Sequence, residues 1–541
     1  MVSEGDVADL IMIGGAVWTA VEALPLAEAV AVQEGRIIAV GSNQEIQDLM
    51  HSRTRVIELN GRTVTPGFID AHMHFISGGF QLSSLDLREA TTPEEFVIRI
   101  KEFAESVPSG TWITGGNWDH ELWGGLLPRS DWIDPFTQAH PVLVQRLDGH
   151  MALANSLALR MSGVATKTGD PPGGSIVRDE AGLPSGVLKD QAIILVRKVI
   201  PPTTVEATKR ALQSAARHTL ARGITQVHDM GGWNNLDMMG WANLEVYHQA
   251  HSEGHLPLRV YSVVPMSSWR RMKDYVSTNG RGDDRLWWGG VKAFVDGSLG
   301  SATAWFHEAY LDESGNTGLT TTDTAELQGW IEGADKAGLQ PIVHAIGDRA
   351  NDWLLDIYED LVANHGKRDR RLRVEHAQHL SQSAIGRFSK QGVIASMQPY
   401  HAVDDGRWAA KRIGPERIKR AYAFGSLLDT GATLAFGSDW TVAPLDPILG
   451  IDAAVTRRTL DGANPDGWMP EERISLEQSL LAYTAGAAKA GFSEDRSGSL
   501  ENGKLADLVV LSENLFEIHS SDIANVEVDM TLVDGEVVYD R

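Results

Sequence analysis

Cysteine does not occur anywhere in the 541 residues, and no apolar run approaches the length of a membrane span. Without cysteine there is no disulfide framework, iron–sulfur cluster, thiolate zinc site or cysteine nucleophile, so a bound metal must use nitrogen and oxygen ligands. A spanning helix needs about 18 apolar residues in a row. The first ten residues carry Glu4, Asp6 and Asp9, where a secretory signal would be basic. These absences predict a cytoplasmic protein with no membrane partner.

Positive charge is also scarce. The chain has 48 Lys and Arg residues against 72 Asp and Glu residues, which gives a formal net charge of -24. Such a chain repels a phosphate backbone unless it keeps a local basic stripe. The densest basic segment, residues 367–373, is interrupted by Asp369 and leads into an apolar strand. The sequence therefore predicts no nucleic-acid partner.

Both ends of the chain have the pattern of short strands separated by turns. Asp534 and Gly535 form a strong hairpin signal near the C-terminus. We expect residues 1–64 and 492–541 to pair into one composite β-sandwich domain. The strand-like segments are 9–14, 29–34, 36–40 and 54–59 at one end, and 506–511, 526–533 and 536–539 at the other.

Residues 65–491 alternate short β-branched runs with longer helical patterns, which is typical of βα units around a parallel sheet. Eight such units close into an α/β fold of the (β/α)₈ TIM-like barrel type, with functional groups at the carboxyl ends of the strands. The interval after the first strand is too long for one helix, so we interpret residues 78–202 as an inserted cap. The eight candidate strands are 65–70, 224–228, 258–264, 290–295, 340–343, 372–375, 392–396 and 433–437.

The sharpest local signal lies in residues 66–74, an apolar strand that ends in His72 and His74. The period of two along a strand puts both imidazoles on the same face. Two imidazole nitrogens side by side can bind a divalent metal. A lone His-x-His pair also arises by chance at strand ends, so the remaining candidate strands must decide between the two interpretations.

Four later candidate strands also carry a polar residue where the barrel should meet its active-site loops. Any one of them has an ordinary structural explanation, such as a hydrogen-bonded core histidine or a lysine paired with a carboxylate. Five such coincidences on independent strands favour a metal site instead. The four residues are Lys292, His344, His376 and Asp439.

Seven segments carry a family resemblance: 66–74, 148–150, 292–298, 344–348, 375–378, 437–440 and 503–510. Through them the chain resembles the amidohydrolase superfamily of metal-dependent hydrolases along nearly its whole length. Within that superfamily it is similar to amidohydrolase family 3, the branch that includes N-substituted formamide deformylases. The last segment, with the flanking strands, also resembles the composite sandwich domain of the family.

The resemblance implies a site for one or two divalent metal ions, with zinc as the expected metal. By this analogy His72 and His74 bind a first, more buried ion, and His344 and His376 bind a second. Asp439 coordinates the first ion and acts as the general acid and base. It accepts a proton from water and passes it to the leaving amine.

Lys292 requires a separate argument because an unmodified lysine, with a pKa near 10.4, is a cation and a poor ligand. In related proteins CO₂ caps the amine, and N6-carboxylation makes the side chain an anionic oxygen donor that bridges two metals. Burial in an apolar strand would help by lowering the ammonium pKa. An unmodified Lys292 would imply a mononuclear site.

This chemistry predicts a metal-dependent amidohydrolase that cleaves a non-peptide C–N bond in a small-molecule substrate, such as a deformylase-like enzyme acting on an N-substituted formamide. The same machinery can hydrolyse cyclic amides or esters, or deaminate an aromatic ring. A barrel that binds a small molecule without turning it over is a third reading, which the complete ligand set disfavours. Homo-oligomers are common in such families, although no residue here indicates an interface.

Three residues are candidates for contact with the substrate. His150 follows the Asp148-Gly149 turn that matches the branch. Trp118 lies in the predicted cap, where aromatic rings supply apolar contact area, and a role in packing the cap is the alternative. His401 follows the seventh candidate strand. His228, at the end of the second strand, is interpreted as support for the metal ligands.

Overall fold

The computed structural model describes residues 7–231 and 239–541, which form a barrel, a cap and two flanking sheets. The strands are β1 (Leu10–Ile13), β2 (Ala16–Trp18), β3 (Leu26–Ala27), β4 (Ala29–Gln33), β5 (Arg36–Gly41), β6 (Arg55–Glu58), β7 (Thr63–Pro66), β8 (Phe68–Met73), β9 (Leu85–Asp86), β10 (Gly115–Trp118), β11 (Leu143–Arg146), β12 (Met151–Ala154), β13 (Gly174–Arg178), β14 (Pro184–Asp190), β15 (Ile224–Asp229), β16 (Arg259–Pro265), β17 (Leu286–Phe294), β18 (Gln340–Ala345), β19 (Arg373–His376), β20 (Ile394–Met397), β21 (Thr433–Phe436), β22 (Leu508–Leu511), β23 (Val528–Val533) and β24 (Glu536–Asp540).

Helices cover the outside of the barrel and connect its strands. The α-helices are α1 (Asn43–Gln47), α2 (Phe75–Gln81), α3 (Pro93–Ser106), α4 (Ser130–Ile133), α5 (Ser156–Ser162), α6 (Ile194–Arg197), α7 (Val205–Leu220), α8 (Met239–Ser252), α9 (Trp269–Asn279), α10 (Thr324–Lys336), α11 (Asp348–His365), α12 (Gln382–Gln391), α13 (Pro399–Asp405), α14 (Ala409–Arg417), α15 (Phe424–Asp429), α16 (Pro447–Thr456), α17 (Leu476–Ala482) and α18 (Ala485–Ala490).

The predicted (β/α)₈ barrel is confirmed. Eight strands pair in parallel in the order β21-β20-β19-β18-β17-β16-β15-β8. Next to the carboxyl ends of β8 and β21, the backbone closes the circle: the N–H of Asp439 donates to the carbonyl of His72, and the N–H of His74 donates to that of Trp440, both at 2.7 Å. The first and last strands therefore meet where the functional side chains lie.

The first barrel strand corrects the sequence-based boundary. The predicted strand 65–70 is divided between β7, which pairs with β22 and β2, and β8, which pairs with β15. Gly67 lies between them, and a Cβ at this position would lie 2.2 Å from the hydroxyl of Thr225. A residue with a Cβ would clash with Thr225, so the position at which the chain passes from one sheet to the other requires glycine.

The two outer sheets combine strands from both ends of the chain. One has the order β5-β4-β1-β6, and the other has the order β24-β23-β22-β7-β2-β3. Leu10 and Val30 from the first sheet share one buried cluster with Val64, Leu508 and Leu532 from the second. The apolar contact between the sheets makes them a sandwich.

Residues 85–190 contribute a separate six-stranded sheet in the order β13-β14-β12-β11-β10-β9. Its apolar core includes Phe96, Trp118 and Val144, and helix α3 packs against it. This sheet contributes residues to the same cavity as the barrel strands, so it covers the carboxyl ends of the barrel. Among the residues that the structure describes, no helix combines the length and the apolar composition that a bilayer crossing requires.

Candidate metal centre

A cavity at the carboxyl ends of the barrel strands is bordered on its outer side by the cap. All six residues that the sequence assigns to a metal site line this cavity, although they come from five different strands or the loops that follow them. They are His72, His74, Lys292, His344, His376 and Asp439. The parallel arrangement explains this convergence, because it brings the carboxyl ends of all strands to one end of the barrel.

His72, His74 and Asp439 form the tightest group. Oδ1 of Asp439 lies 3.5 Å from Nε2 of His72 and 3.4 Å from Nε2 of His74. One ligand atom from each residue lies within 4.8 Å of the others, and all three side chains are buried. Two imidazole nitrogens and a carboxylate oxygen at this spacing are suited to a divalent cation such as zinc.

Fixed acceptors orient the histidine rings. Nδ1 of His72 is hydrogen-bonded to Glu375, Nδ1 of His74 lies 2.9 Å from the carbonyl of Gly231, and Nδ1 of His376 lies 2.8 Å from Oε1 of Gln398. A proton held on Nδ1 leaves the lone pair on Nε2. Metal-binding histidines commonly have this second hydrogen bond, because it fixes both the tautomer and the ring orientation.

Glu375 is itself held by a buried network. Nε of Arg373 donates to Oε1 of Glu375 at 2.7 Å, and Nη1 of Arg373 lies 3.1 Å from Nδ1 of His228. Burial alone would raise the pKa of Glu375, but Arg373 and His72 outweigh it and hold the pKa well below its ordinary value. The carboxylate therefore stays ionised beneath His72. His228 is thus connected to His72 through Arg373 and Glu375.

Asp439 lies on a strained, well-supported loop. Its φ of 55° is in the left-handed region. Asp70 anchors the preceding residue by accepting hydrogen bonds from the N–H and the hydroxyl of Ser438. Burial alone would raise the pKa of Asp439, but His72 and His74 outweigh it and lower the pKa. Oδ1 of Asp439 is buried with no hydrogen-bond partner in the described part of the chain.

Lys292 also has a buried polar atom without a hydrogen-bond partner. Its Nζ has no hydrogen bond among the described residues and lies 4.9 Å from the ring centroid of Phe294. Burial, only partly offset by Glu375 and Asp439, lowers the pKa of Lys292 to about 8. A considerable fraction of the amine is therefore neutral at slightly alkaline pH, and a neutral amine is the form that reacts with CO₂.

His344 and His401 depart from the arrangement implied by the family resemblance. Nε2 of His344 faces the carbonyl of Gly297 at 3.0 Å, which leaves Nδ1 as the nitrogen able to accept. A second group of ligand atoms within 4.8 Å contains His376, His401 and Asp439, without His344. Nε2 of His401 is buried and has no partner in the described structure. His401, predicted as a substrate contact, therefore lies at ligand distance from His376 and Asp439.

The other two predicted substrate contacts have different locations. His150 lines the cavity, and its ring centroid lies 5.1 Å from that of His344. Trp118 does not line it: the side chain is fully buried in the core of the cap, where Nε1 donates to the carbonyl of Val144 at 2.9 Å. The indole therefore packs inside the cap sheet, and a contact of Trp118 with the substrate stays a prediction.

Several cavity residues escaped the sequence analysis. Arg146, Asp404 and Asp405 line its outer part. Arg146 donates to Asp119 and to Asp148 at 2.8 and 2.7 Å, and the hydroxyl of Tyr422 donates to Asp405 at 2.5 Å. Helix α13 follows β20, so its acidic end could have been predicted to lie near the barrel mouth. Arg146 lies on a cap strand, and no local pattern directs it there.

The donor set fits a divalent metal. The ligand atoms are nitrogens and carboxylate oxygens, as a chain without cysteine requires, and the accepting histidine nitrogens are fixed by hydrogen bonds on the opposite side of the ring. Oδ1 of Asp439 and Nζ of Lys292 are buried and unpartnered. Buried polar atoms without partners are rare in folded proteins and require an explanation. A bound cation provides one for Oδ1 of Asp439, whereas Nζ of Lys292 could take part only as a neutral or carboxylated amine.

A (β/α)₈ barrel in which buried histidine and aspartate side chains converge at the strand ends is typical of metal-dependent hydrolases. A model of the amidohydrolase family matches residues 55–539, and the chain belongs to that family. It is 42% identical over 540 residues to Protein LONG AFTER FAR-RED 3 of Arabidopsis thaliana, covering 99% of this chain and 92% of the relative. It is 28% identical over 556 residues to the N-substituted formamide deformylase of Arthrobacter pascens, covering 98% of each.

Solved structures agree with this assignment. The crystal structure of an uncharacterized metal-dependent hydrolase from Pyrococcus horikoshii OT3 is 27% identical in sequence and superposes with a TM-score of 0.74. The similarity covers 95% of this chain and 99% of the other. Barrel, cap and outer sheets therefore belong to one shared architecture.

Proposed function

We propose that the protein hydrolyses a C–N bond outside peptides, in an N-acyl amine such as an N-substituted formamide. The observation that carries the proposal is the group formed by His72, His74 and Asp439, whose ligand atoms lie within 4.8 Å of one another in a buried cavity. The similarity to a formamide deformylase along nearly the whole chain supports a small acyl group as the one removed.

The residues of the chain have distinct roles in this proposal. His72, His74, His376 and Asp439 hold the metal, together with His344 or His401. When bound, a divalent ion acidifies a water molecule and polarises the substrate carbonyl. The Asp439 carboxylate accepts the proton from the attacking water and delivers it to the leaving nitrogen, so that water and amide become carboxylic acid and amine.

Lys292 determines the metal stoichiometry in this proposal. If its Nζ is carboxylated, the new carboxylate supplies oxygen ligands for two ions, and elemental analysis should find two equivalents per chain. An unmodified Lys292 corresponds to one equivalent. Intact-mass measurement at neutral pH distinguishes the two states independently, since carboxylation adds the mass of CO₂.

A product panel tests the reaction. The metal-loaded protein is incubated with N-substituted formamides, other N-acyl amines, lactams, lactones and an aminated aromatic heterocycle. Formate or another free acid together with an amine supports the proposal, whereas a ring-opened acid or ammonia identifies the cyclic-amide, ester or deaminase alternatives. Chelator-treated protein is the control. If the metal-loaded protein converts none of these compounds, the proposal is contradicted. The remaining alternative is then a barrel that binds a small molecule without turning it over.

A further inference from the structure

Asp190 lies beside the metal centre but has no role in the reaction as described so far. It ends the cap strand β14, and its side chain is 2% exposed. Oδ1 lies 2.6 Å from Nδ1 of His150, the cavity residue next to His344. The backbone N–H of Asp190 also donates to the carbonyl of His150 at 2.9 Å. The two residues are thus coupled through main chain and side chain.

The strand register produces this pair. Met151 of β12 lies opposite Lys189 of β14, so His150 and Asp190 are the next cross-strand neighbours. Directly opposed residues in an antiparallel pair place their side chains on the same face. The register of the cap sheet therefore directs Asp190 onto His150.

Asp190 is held in a conformation that is unfavourable for its residue type. Its φ of 47° and ψ of −120° lie where residues with a Cβ are strained. It occupies the N-cap position of a 3₁₀ helix, yet its side chain makes no capping hydrogen bond. Strain of this kind persists where the surrounding structure enforces it, and it clusters at functional sites.

The carboxylate also lacks ordinary structural partners. Oδ2 of Asp190 is buried with no hydrogen-bond partner in the described chain. A buried carboxylate oxygen without a partner is costly, so the residue contributes little to the stability of the cap. The hydrogen bond to His150 is the one hydrogen bond that the side chain makes within residues 7–231 and 239–541.

We propose that Asp190 is the positioning residue for His150, holding Nδ1 of the imidazole so that Nε2 is presented to the substrate beside the metal ligands. The inference rests on the proposed hydrolysis. The 2.6 Å contact between Oδ1 of Asp190 and Nδ1 of His150 supports this role, because it fixes the ring from the side that faces away from the substrate. His150 then contacts a substrate oxygen, and Asp190 acts only through it.

Asp190→Gly is the decisive variant, because glycine tolerates the backbone conformation while removing the carboxylate. On the substrate found by the product panel, we expect kcat to fall by about 10-fold or more, with KM changing less. The thermal midpoint should stay within about 3 °C of the wild type or rise, since relief of strain compensates for the lost hydrogen bond. A residue with a merely structural role would show the reverse pattern.

Two further variants make the test specific. Asp190→Asn keeps an acceptor for Nδ1 and should lose at most about 3-fold in kcat, with Asp179→Asn as the matched control in an exposed turn of the same cap. His150→Gln combined with Asp190→Gly should be no slower than His150→Gln alone, within about 2-fold, because both remove one interaction. Unchanged kcat in Asp190→Gly, or effects that multiply in the double variant, would overturn the proposal.

Nuclear magnetic resonance of histidine-labelled, metal-loaded protein provides a readout without turnover. The His150 signals are assigned by their loss in His150→Gln. The Nδ1 resonance should have the shift of a protonated, hydrogen-bonded nitrogen in the wild type and should move in Asp190→Gly. If the wild type hydrolyses no amide, the proposed function fails, but the resonance still decides whether Asp190 fixes the ring. An unchanged Nδ1 shift would reject the positioning role.

Discussion

The two ends of the barrel bury charged groups in opposite ways. At the amino end, Arg259 opens β16 and makes two hydrogen bonds to Asp507, at 2.6 and 2.8 Å, and another to Asp534. At the carboxyl end, Nζ of Lys292 and Oδ1 of Asp439 are buried without a hydrogen-bond partner among the described residues. Hydrogen-bonded ion pairs at one end connect the barrel to the outer sheets, whereas two groups without hydrogen bonds at the other end are available for ligands.

This contrast separates structural from functional burial. A buried ion pair with every partner present is tolerated, and removing one partner leaves the other charge uncompensated. A buried group without partners lowers stability unless a ligand satisfies it. The amino end should therefore respond to substitution with a loss of stability and the carboxyl end with a loss of activity.

Arg259→Met should have the largest effect. It leaves Asp507 buried without its guanidinium, and breaking a buried pair in this way costs about 3–5 kcal/mol. We expect a clear fall in the thermal midpoint, with kcat unchanged at temperatures where the variant is folded. Arg129→Met is the control, because the Arg129–Asp131 pair is exposed and contributes at most about 1 kcal/mol. Equal stability of both variants would remove the distinction between the two ends.

Asp439→Asn tests the carboxyl end directly. The amide cannot accept the proton of the attacking water, so kcat should fall by at least about 10²-fold. This corresponds to a rise of about 2.7 kcal/mol in the activation free energy. Bound metal, measured by elemental analysis, should fall less, because His72 and His74 remain. Asp429→Asn, an exposed carboxylate on α15, should retain full activity. Turnover close to that of the wild type would exclude Asp439 from the mechanism.

Lys292→Met should stabilise the metal-free protein. The substitution replaces a buried amine that has no hydrogen-bond partner with an apolar chain of similar volume, which removes a penalty of about 1–3 kcal/mol. The thermal midpoint of chelator-treated protein should rise, while the metal-loaded variant should be impaired in turnover. Lys336→Met, at an exposed position on α10, should change the free energy of unfolding by less than about 0.5 kcal/mol. A lower midpoint for metal-free Lys292→Met would mean that the amine contributes to folding.

The same contrast explains which features the sequence could predict. The carboxyl ends of the strands in a parallel barrel converge regardless of the loop conformations. The polar residues at the ends of apolar runs were therefore sufficient to predict which six residues share the cavity. Gly67 shows why the sequence did not predict the boundary of the first barrel strand. The strand-like pattern continues through this residue, and the close approach of Thr225 becomes visible only in the structure.

Residues that act through other residues left no local signal. Arg373 and Glu375 lie two residues apart on β19, a spacing that is ordinary for a strand. Their contact with His72 depends on where the fold places that residue. Asp190 and His150 are 40 residues apart along the chain, and the pairing of two cap strands brings them together. Such contacts depend on tertiary register, which periodicity and spacing do not specify.

Trp118→Phe should have the smallest effect. It tests a buried polar group of the cap whose hydrogen bond is made within the cap itself. Phenylalanine retains most of the ring in the buried cluster but leaves the carbonyl of Val144 without its donor, at a cost of about 1 kcal/mol. The thermal midpoint should fall slightly, while kcat and KM stay within about 2-fold of the wild type. Trp123→Phe, which loses a more exposed bond to the carbonyl of Leu126, should cost less. A selective rise in KM for Trp118→Phe would instead return Trp118 to the substrate site, because a residue confined to the core of the cap has no direct route to the substrate.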